Sequence, residues 1–207
     1  FMASMKETIK QVAIDLFFQK GYFATSISEI AQGCGIQKAS IYYHFDGKEE
    51  LLFDIMQTTM QDLLTSLEGY LAEAAGVEQR LRFAVRSHVC FHLKRQMETF
   101  IASSELRGLS ADHFLTIVAR RDDYERMFQE LIRQGAEQGI YAADEVKILS
   151  YAILTLCTAG ASWFRPDGRL SVEEIATIYE NFVLRGLIAG EKACGCAPTA
   201  APFAHRR

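Results

Sequence analysis

The sequence predicts an all-α fold of about nine helices, a small three-helix head followed by a larger helical bundle. Three observations carry that reading. All three prolines (Pro166, Pro198, Pro202) fall after residue 165, which leaves most of the chain free of the strongest helix breaker. Apolar residues recur at helical spacing, and no run alternates with the period of two that marks a strand. Breaks fall at Gly21, Gly33-Cys34-Gly35, Asp46-Gly47, Gly76, Gly108, Gly139 and Arg165-Pro166-Asp167-Gly168. The intervals between them are short up to residue 46 and long afterwards.

The opening Phe1-Met2-Ala3-Ser4-Met5 is set apart from the fold. Ile9, Val12, Ala13, Leu16 and Phe17 then form one helical stripe, stopped by Gly21 after Lys20. Ser26 with Glu29 three residues on is a capping box, so a second helix starts there and turns Ile27, Ile30 and Ala31 inward. Gly33 and Gly35 are expected to supply the left-handed turn that ends it. Ile36 packs inward, and a third short helix runs from about Gln37 to His44. Leu52 to Leu71 mark a long helix opening near Lys48; Phe114 to Ile132 mark another, closed by Gly139. The last two span roughly 144–164 and 171–190, the second opened by a capping box at Ser171 and Glu174. The resulting organisation is a head over 1–50, a body over 51–192 and a tail over 193–207.

Composition narrows the function classes. The chain of 207 residues is 49 % hydrophobic and 23 % charged, enough core for a globular fold with a soluble surface. No apolar run reaches the roughly twenty residues of a membrane span, and the first twenty residues read as an amphipathic helix rather than a signal peptide. Five scattered cysteines (Cys34, Cys90, Cys157, Cys194, Cys196) indicate a reduced, cytoplasmic protein rather than a disulfide scaffold. Cys194 and Cys196 lack two further ligands nearby for a metal. His88 and His92, spaced i, i+4, could chelate a divalent ion, but no third ligand is evident, so no metal and no cofactor is expected. No nucleophile–base pair or phosphate loop is present, which argues against an enzyme.

Two short helices joined by a tight glycine turn, behind an amphipathic helix, form a helix-turn-helix, whose second helix enters the DNA major groove. The outward residues of that helix fit the task. Gln37 can read base edges, Lys38 and the hydroxyls of Tyr42 and Tyr43 can bind phosphates, and aromatic faces can pack on thymine methyls; Ser40 and His44 belong to the same outward set. Tyr42 and Phe45 have a core role open to them as well. Thr25 and Ser26 place hydroxyls and amides at a helix start where a phosphate could sit, and Lys48 can reach the backbone. The net charge of −4 limits this picture, since residues 1–48 carry five lysines against four acids. Recognition must depend on a few placed contacts, doubled by dimerisation.

Gly21-Tyr22, Thr25-Ser26-Ile27, Ile30-Ala31, Gly35-Ile36, Ile41-Tyr42-Tyr43-His44-Phe45 and Lys48-Glu49-Glu50-Leu51 closely resemble the TetR family of bacterial repressors. The resemblance spans about residues 6–55. It implies a homodimer that binds a palindromic operator and is released by a small molecule. Two positions depart from the pattern: Gln37 stands where a serine cap is usual, and Gly47 where Ser or Asp is common.

In the body, Met56, Met60, Phe83, Phe91, Phe100, Phe114, Phe128 and Trp163 are suited to line a chamber. Met60, Phe91, Arg121, Tyr124, Phe128 and Trp163 are the residues expected to touch an effector. Arg121 shares a helix face with Ile117, Val118, Tyr124 and Phe128, so its charge must be paired, with Glu98 or Glu105 as partner, or must serve an anionic ligand. Arg121-Asp122, Tyr124, Leu131-Ile132, Gly139, the 163–168 loop, Ser171, Glu174-Ile175, Tyr179 and Gly186-Leu187 resemble a TetR subgroup that senses acyl-coenzyme A thioesters of fatty-acid, steroid or aromatic-acid breakdown. The last two long helices are expected to pair with their copies as a four-helix dimer interface. Another hydrophobic effector, or a protein partner, is the alternative.

Overall fold

A computed structural model describes residues 4–188, and the 193–207 tail with Cys194 and Cys196 lies outside the described residues. Among the described residues there are nine α-helices: α1 (Met5–Lys20), α2 (Ile27–Gly33), α3 (Lys38–Tyr42), α4 (Lys48–Ala72), α5 (Val77–Lys94), α6 (Gln96–Ser104), α7 (Ala111–Glu137), α8 (Val146–Ala159) and α9 (Val172–Leu187). The fold class is all-α, as the proline distribution and the helical period predict. Ser4, which the sequence reading set apart, belongs to the fold: its hydroxyl accepts the Glu7 amide and caps α1.

Two apolar clusters organise the chain. The first joins Ile9, Ala13 and Phe17 of α1 to Ile27, Ile30 and Ala31 of α2, Ile41 of α3, Phe45, and Leu51 to Met56 of α4. Ile101 of α6 and Ile117 of α7 complete it. The head therefore shares its core with the body, as expected of a segment of about fifty residues too small to bury enough surface alone. The second cluster centres on α5, which packs against α4, α7, α8 and α9. Arg82 and Arg86 of α5 pair there with Glu180 of α9, a carboxylate only 2 % exposed. Burial of that anion is tolerated because two guanidinium groups face it.

The glycine turn between α2 and α3 divides two roles that the sequence reading had merged. Only Gly35 adopts the left-handed region (φ 68°), where a Cβ is disfavoured. Its amide bonds to the Gln32 carbonyl and that of Ile36 to the Ala31 carbonyl, the Schellman closure of α2. Gly33 serves packing: a Cβ there would lie 2.6 Å from Val12 Cγ1, so its absence lets α2 lie against α1.

Candidate DNA interface and effector site

Helix α2 begins with the predicted reciprocal cap. Ser26 Oγ accepts the Glu29 amide, while the Glu29 carboxylate accepts the Ser26 amide and hydroxyl at 2.8 Å each. Lys20 pairs with that carboxylate, and this bond, followed by those from Ser26, holds the Glu29 pKa down to about 2. The Ser26 hydroxyl is thus engaged within its own cap.

Thr25 and Lys48 stand differently from their expected phosphate-facing roles. Thr25 is 2 % exposed, and its hydroxyl donates to the Gly21 carbonyl at 2.9 Å. It fastens the α1–α2 turn from inside. Lys48 Nζ donates to the carbonyls of Tyr22 (2.9 Å) and Thr25 (2.7 Å) and lies 4.3 Å from the Tyr22 ring centre. Its ammonium ties α4 to the α1–α2 turn. The Tyr22 carbonyl also accepts the Thr25 amide at 3.2 Å, so the lysine reinforces a turn that the main chain already closes.

The recognition segment is shorter than the predicted 37–44, with α3 confined to Lys38–Tyr42. Gln37 occupies the cap position without a side-chain cap bond, so its amide group remains free to act elsewhere. Ile41 and Phe45 are buried and anchor the segment, while Gln37, Lys38 and Tyr42 are exposed and Ser40 and His44 half-buried. Tyr43 is 87 % exposed, with the His44 ring edge-on to it at 5.0 Å. Just past the end of α3, its ring and hydroxyl are open to a partner surface. Of the nine residues expected at DNA, Gln37, Lys38, Tyr42 and Tyr43 are exposed and Ser40 and His44 half-buried, Ser26 is engaged in its own cap, and Thr25 and Lys48 hold the α1–α2 turn.

The expected effector residues separate into three environments. Tyr124 and Phe128 of α7 are buried beside His88 of α5. Met60 and Phe91 also belong to the core, and Phe91 borders an open cleft of about 380 Å³ between α4 and α5 with Asp62, Tyr70 and Lys94. Trp163 stands apart, 54 % exposed at the end of a 3-10 turn after α8. Met60, Phe91, Tyr124 and Phe128 thus share one buried cluster, and Trp163 lies outside it. Its aromatic character and its place in the 163–168 loop single out Trp163 in the sequence, and neither fixes how deeply its ring is buried.

The polar centre of the body is built on His88 and His92, for which no metal is expected, together with Tyr124. His88 Nδ1 meets the Tyr124 hydroxyl at 3.0 Å and its Nε2 the Thr158 hydroxyl at 2.9 Å. His92 Nδ1 meets the Thr99 hydroxyl at 2.9 Å, and the two imidazole centres lie 4.2 Å apart. Burial first, and then the neighbouring ring, pushes the His88 pKa well below its ordinary value. Burial and the nearby Arg121 charge bring His92 to about 4. Both rings are neutral at physiological pH. A spacing of i, i+4 on an otherwise apolar stripe of α5 was the available signal for this cluster. Arg121 itself donates to the Ala102 carbonyl of α6 at 2.5 Å, in place of the expected pair with Glu98 or Glu105. Glu105 instead faces the head, near enough to accept the Tyr22 amide at 3.4 Å.

The outer faces of α8 and α9 carry exposed Ile148, Tyr151 and Leu156, and Ile178 and Phe182, while their inner faces pack on α5. No helix of the described residues is long and apolar enough to cross a membrane.

Comparison with known proteins agrees with this geometry. Residues 9–55 match the model of bacterial regulatory proteins of the tetR family, and residues 74–187 match that of the tetracyclin repressor-like C-terminal domain. The HTH-type transcriptional repressor KstR2 of Mycobacterium tuberculosis is 25 % identical over 187 residues, covering 89 % of this chain and 93 % of that protein. The crystal structure of the TetR family regulator PfmR from Thermus thermophilus is 33 % identical, with a TM-score of 0.79 over 86 % of this chain and 97 % of that one. AibR, solved in complex with isovaleryl coenzyme A and operator DNA, is 28 % identical, with a TM-score of 0.79 over the same shares. With both halves of the chain matched and the helix-turn-helix formed, the chain belongs to the TetR family of transcriptional regulators.

Proposed function

We propose that this regulator is a homodimeric, ligand-released repressor that binds a palindromic operator and lets go when an acyl-CoA-type metabolite enters its body. The observation that carries the DNA half is the open face from Gln37 to His44, with Tyr43 87 % exposed on a segment anchored by buried Ile41 and Phe45. A dimer through α8 and α9 would cover the apolar residues exposed there and set two such faces about 34–36 Å apart, one turn of DNA. The effector class draws support from the likeness to AibR, which was solved with a coenzyme A thioester. The products controlled would belong to fatty-acid, steroid or aromatic-acid breakdown, and the site of action would be the cytoplasm.

The head and body are linked through α6. Phe100 of α6 packs edge-on against Phe18 of α1 at 5.3 Å, and Glu105 faces Tyr22. A ligand that displaces α6 would move the head. The test is selection of duplexes from a random library on the purified protein, followed by titration with acyl-CoA thioesters. A palindrome released by sub-micromolar thioester supports the reading. Failure to enrich any duplex rejects the DNA half, and a palindrome that no thioester releases rejects the effector class.

A further inference from the structure

Two polar groups in the body lack the partners their burial demands, and both lie against α6. His92 is 9 % exposed, and its Nε2 is enclosed with no hydrogen-bond partner. A buried polar atom left in that state is costly, and such atoms in folded proteins are rare. Arg121 is half-buried and forms no ion pair among the described residues; its hydrogen bond goes to the neutral Ala102 carbonyl. The two are anchored on one face of α6, because His92 bonds Thr99 and Arg121 bonds Ala102, three residues further on. The Arg121 charge is felt at the His92 ring.

The donor inventory fixes the chemistry of a ligand. A guanidinium has five N–H groups and accepts nothing. The neutral His92 ring shares one proton between its two nitrogens, and with the Thr99 hydroxyl donating to Nδ1 that proton stands at Nε2. Together they offer donors and one uncompensated positive charge, the complement of an oxygen acceptor carrying negative charge. We propose that His92 Nε2 and the Arg121 guanidinium form the polar end of the effector site and receive the carboxylate of an organic acid or the carbonyl oxygen of its thioester. An incoming oxygen competes with the Ala102 carbonyl for Arg121 and frees α6, the helix that touches the head through Phe100 and Glu105. This inference rests on the reading of the protein as ligand-released, and it adds the group that is recognised and the bond that is exchanged.

The test uses the full chain and two probe series: straight-chain carboxylates and their coenzyme A thioesters, from two to sixteen carbons, titrated by calorimetry. Arg121→Gln is compared with wild type, and Arg121→Lys serves as the variant that keeps the charge should the first fail to fold. The expected result is a best binder in one series that is weakened about tenfold to a hundredfold by Arg121→Gln and less by Arg121→Lys, while Arg121→Gln, which lacks the bond to Ala102, also holds the operator less tightly than wild type in the absence of ligand. If carboxylates bind through Arg121 and thioesters do not, the polar end is confirmed and the acyl-CoA effector class fails. If thioesters bind and release the operator equally well from Arg121→Gln, the polar end is overturned while ligand release stands. If no member of either series binds, the polar end is overturned.

Discussion

The ammonium of Lys48 lies 4.3 Å from the centre of the Tyr22 ring while donating to the Tyr22 carbonyl at 2.9 Å. One side chain thereby closes the α1–α2 turn, and a surface lysine at the start of α4 becomes part of the head's architecture. Lys48→Ala removes two charge-assisted bonds to main-chain carbonyls, which should destabilise the protein by about 2 kcal/mol. The melting temperature should fall, and operator affinity with it, yet the dependence of affinity on salt should stay near that of wild type. An unchanged melting temperature together with a flatter salt dependence would return Lys48 to the phosphate-binding role.

Tyr43 and Lys38 should behave in the opposite way. Both are exposed on the recognition face, so Tyr43→Ala and Lys38→Ala leave the folded core untouched. Each should weaken operator binding in a gel-shift titration with no loss in thermal stability. Lys38→Ala should also reduce the slope of log affinity against log salt by about one unit per head, the counterions released by one phosphate contact. Wild-type affinity in both variants would remove α3 from the interface.

Local features of this architecture were legible in the sequence, and features joining distant segments were not. The caps at Ser26–Glu29 and Ser171–Glu174 need four consecutive residues, and both form. The partners of Lys48 lie 23 and 26 residues away, so a lysine opening a helix beside a recognition segment reads as solvent-facing. Helical spacing correctly required a partner for Arg121 because it placed the charge on an apolar face. It could not tell that the Ala102 carbonyl, rather than Glu98 or Glu105, would reach it, since that depends on how α6 crosses α7. Apart from Arg121, the effector residues were chosen for apolar or aromatic character, which core and chamber share; Phe128 is fully buried and Trp163 54 % exposed for that reason.

The buried histidines make stability depend on pH. In the unfolded chain His92 titrates near 6.5, whereas in the folded chain its pKa is about 4. Between those values the unfolded state binds the proton and the folded state does not, so stability is full above pH 6.5 and is lost as pH falls through 4. The loss attributable to His92 is on the order of 3 kcal/mol, and His88 acts in the same direction. Carboxylates titrate in the lower part of this window, so the measurement is a difference. Urea midpoints of wild type and His92→Gln, followed from pH 7.5 to 4, should converge on acidification, with wild type losing more. Parallel profiles would mean that His92 is not held neutral by its surroundings.

Phe182 of α9 is 66 % exposed and lies one turn from exposed Ile178, while α8 exposes Ile148 and Tyr151. An isolated exposed apolar residue needs no explanation, but four large ones on the outer sides of two helices that both pack on α5 are suited to a second copy. A charge placed in such an apolar face loses its solvation on association and meets apolar side chains of the second copy. Phe182→Glu should therefore yield monomers at micromolar concentration in sedimentation or light-scattering measurements, with the helical content retained, because the inner face of α9 against α5 is unaltered. With balanced charge in the head and few base contacts, one head alone holds DNA weakly, so the same variant should lose operator binding while keeping Tyr43, Lys38 and Lys48 in place. A Phe182→Glu protein that stays dimeric would move the interface away from α9, and a monomer with wild-type operator affinity would show that two heads are not needed.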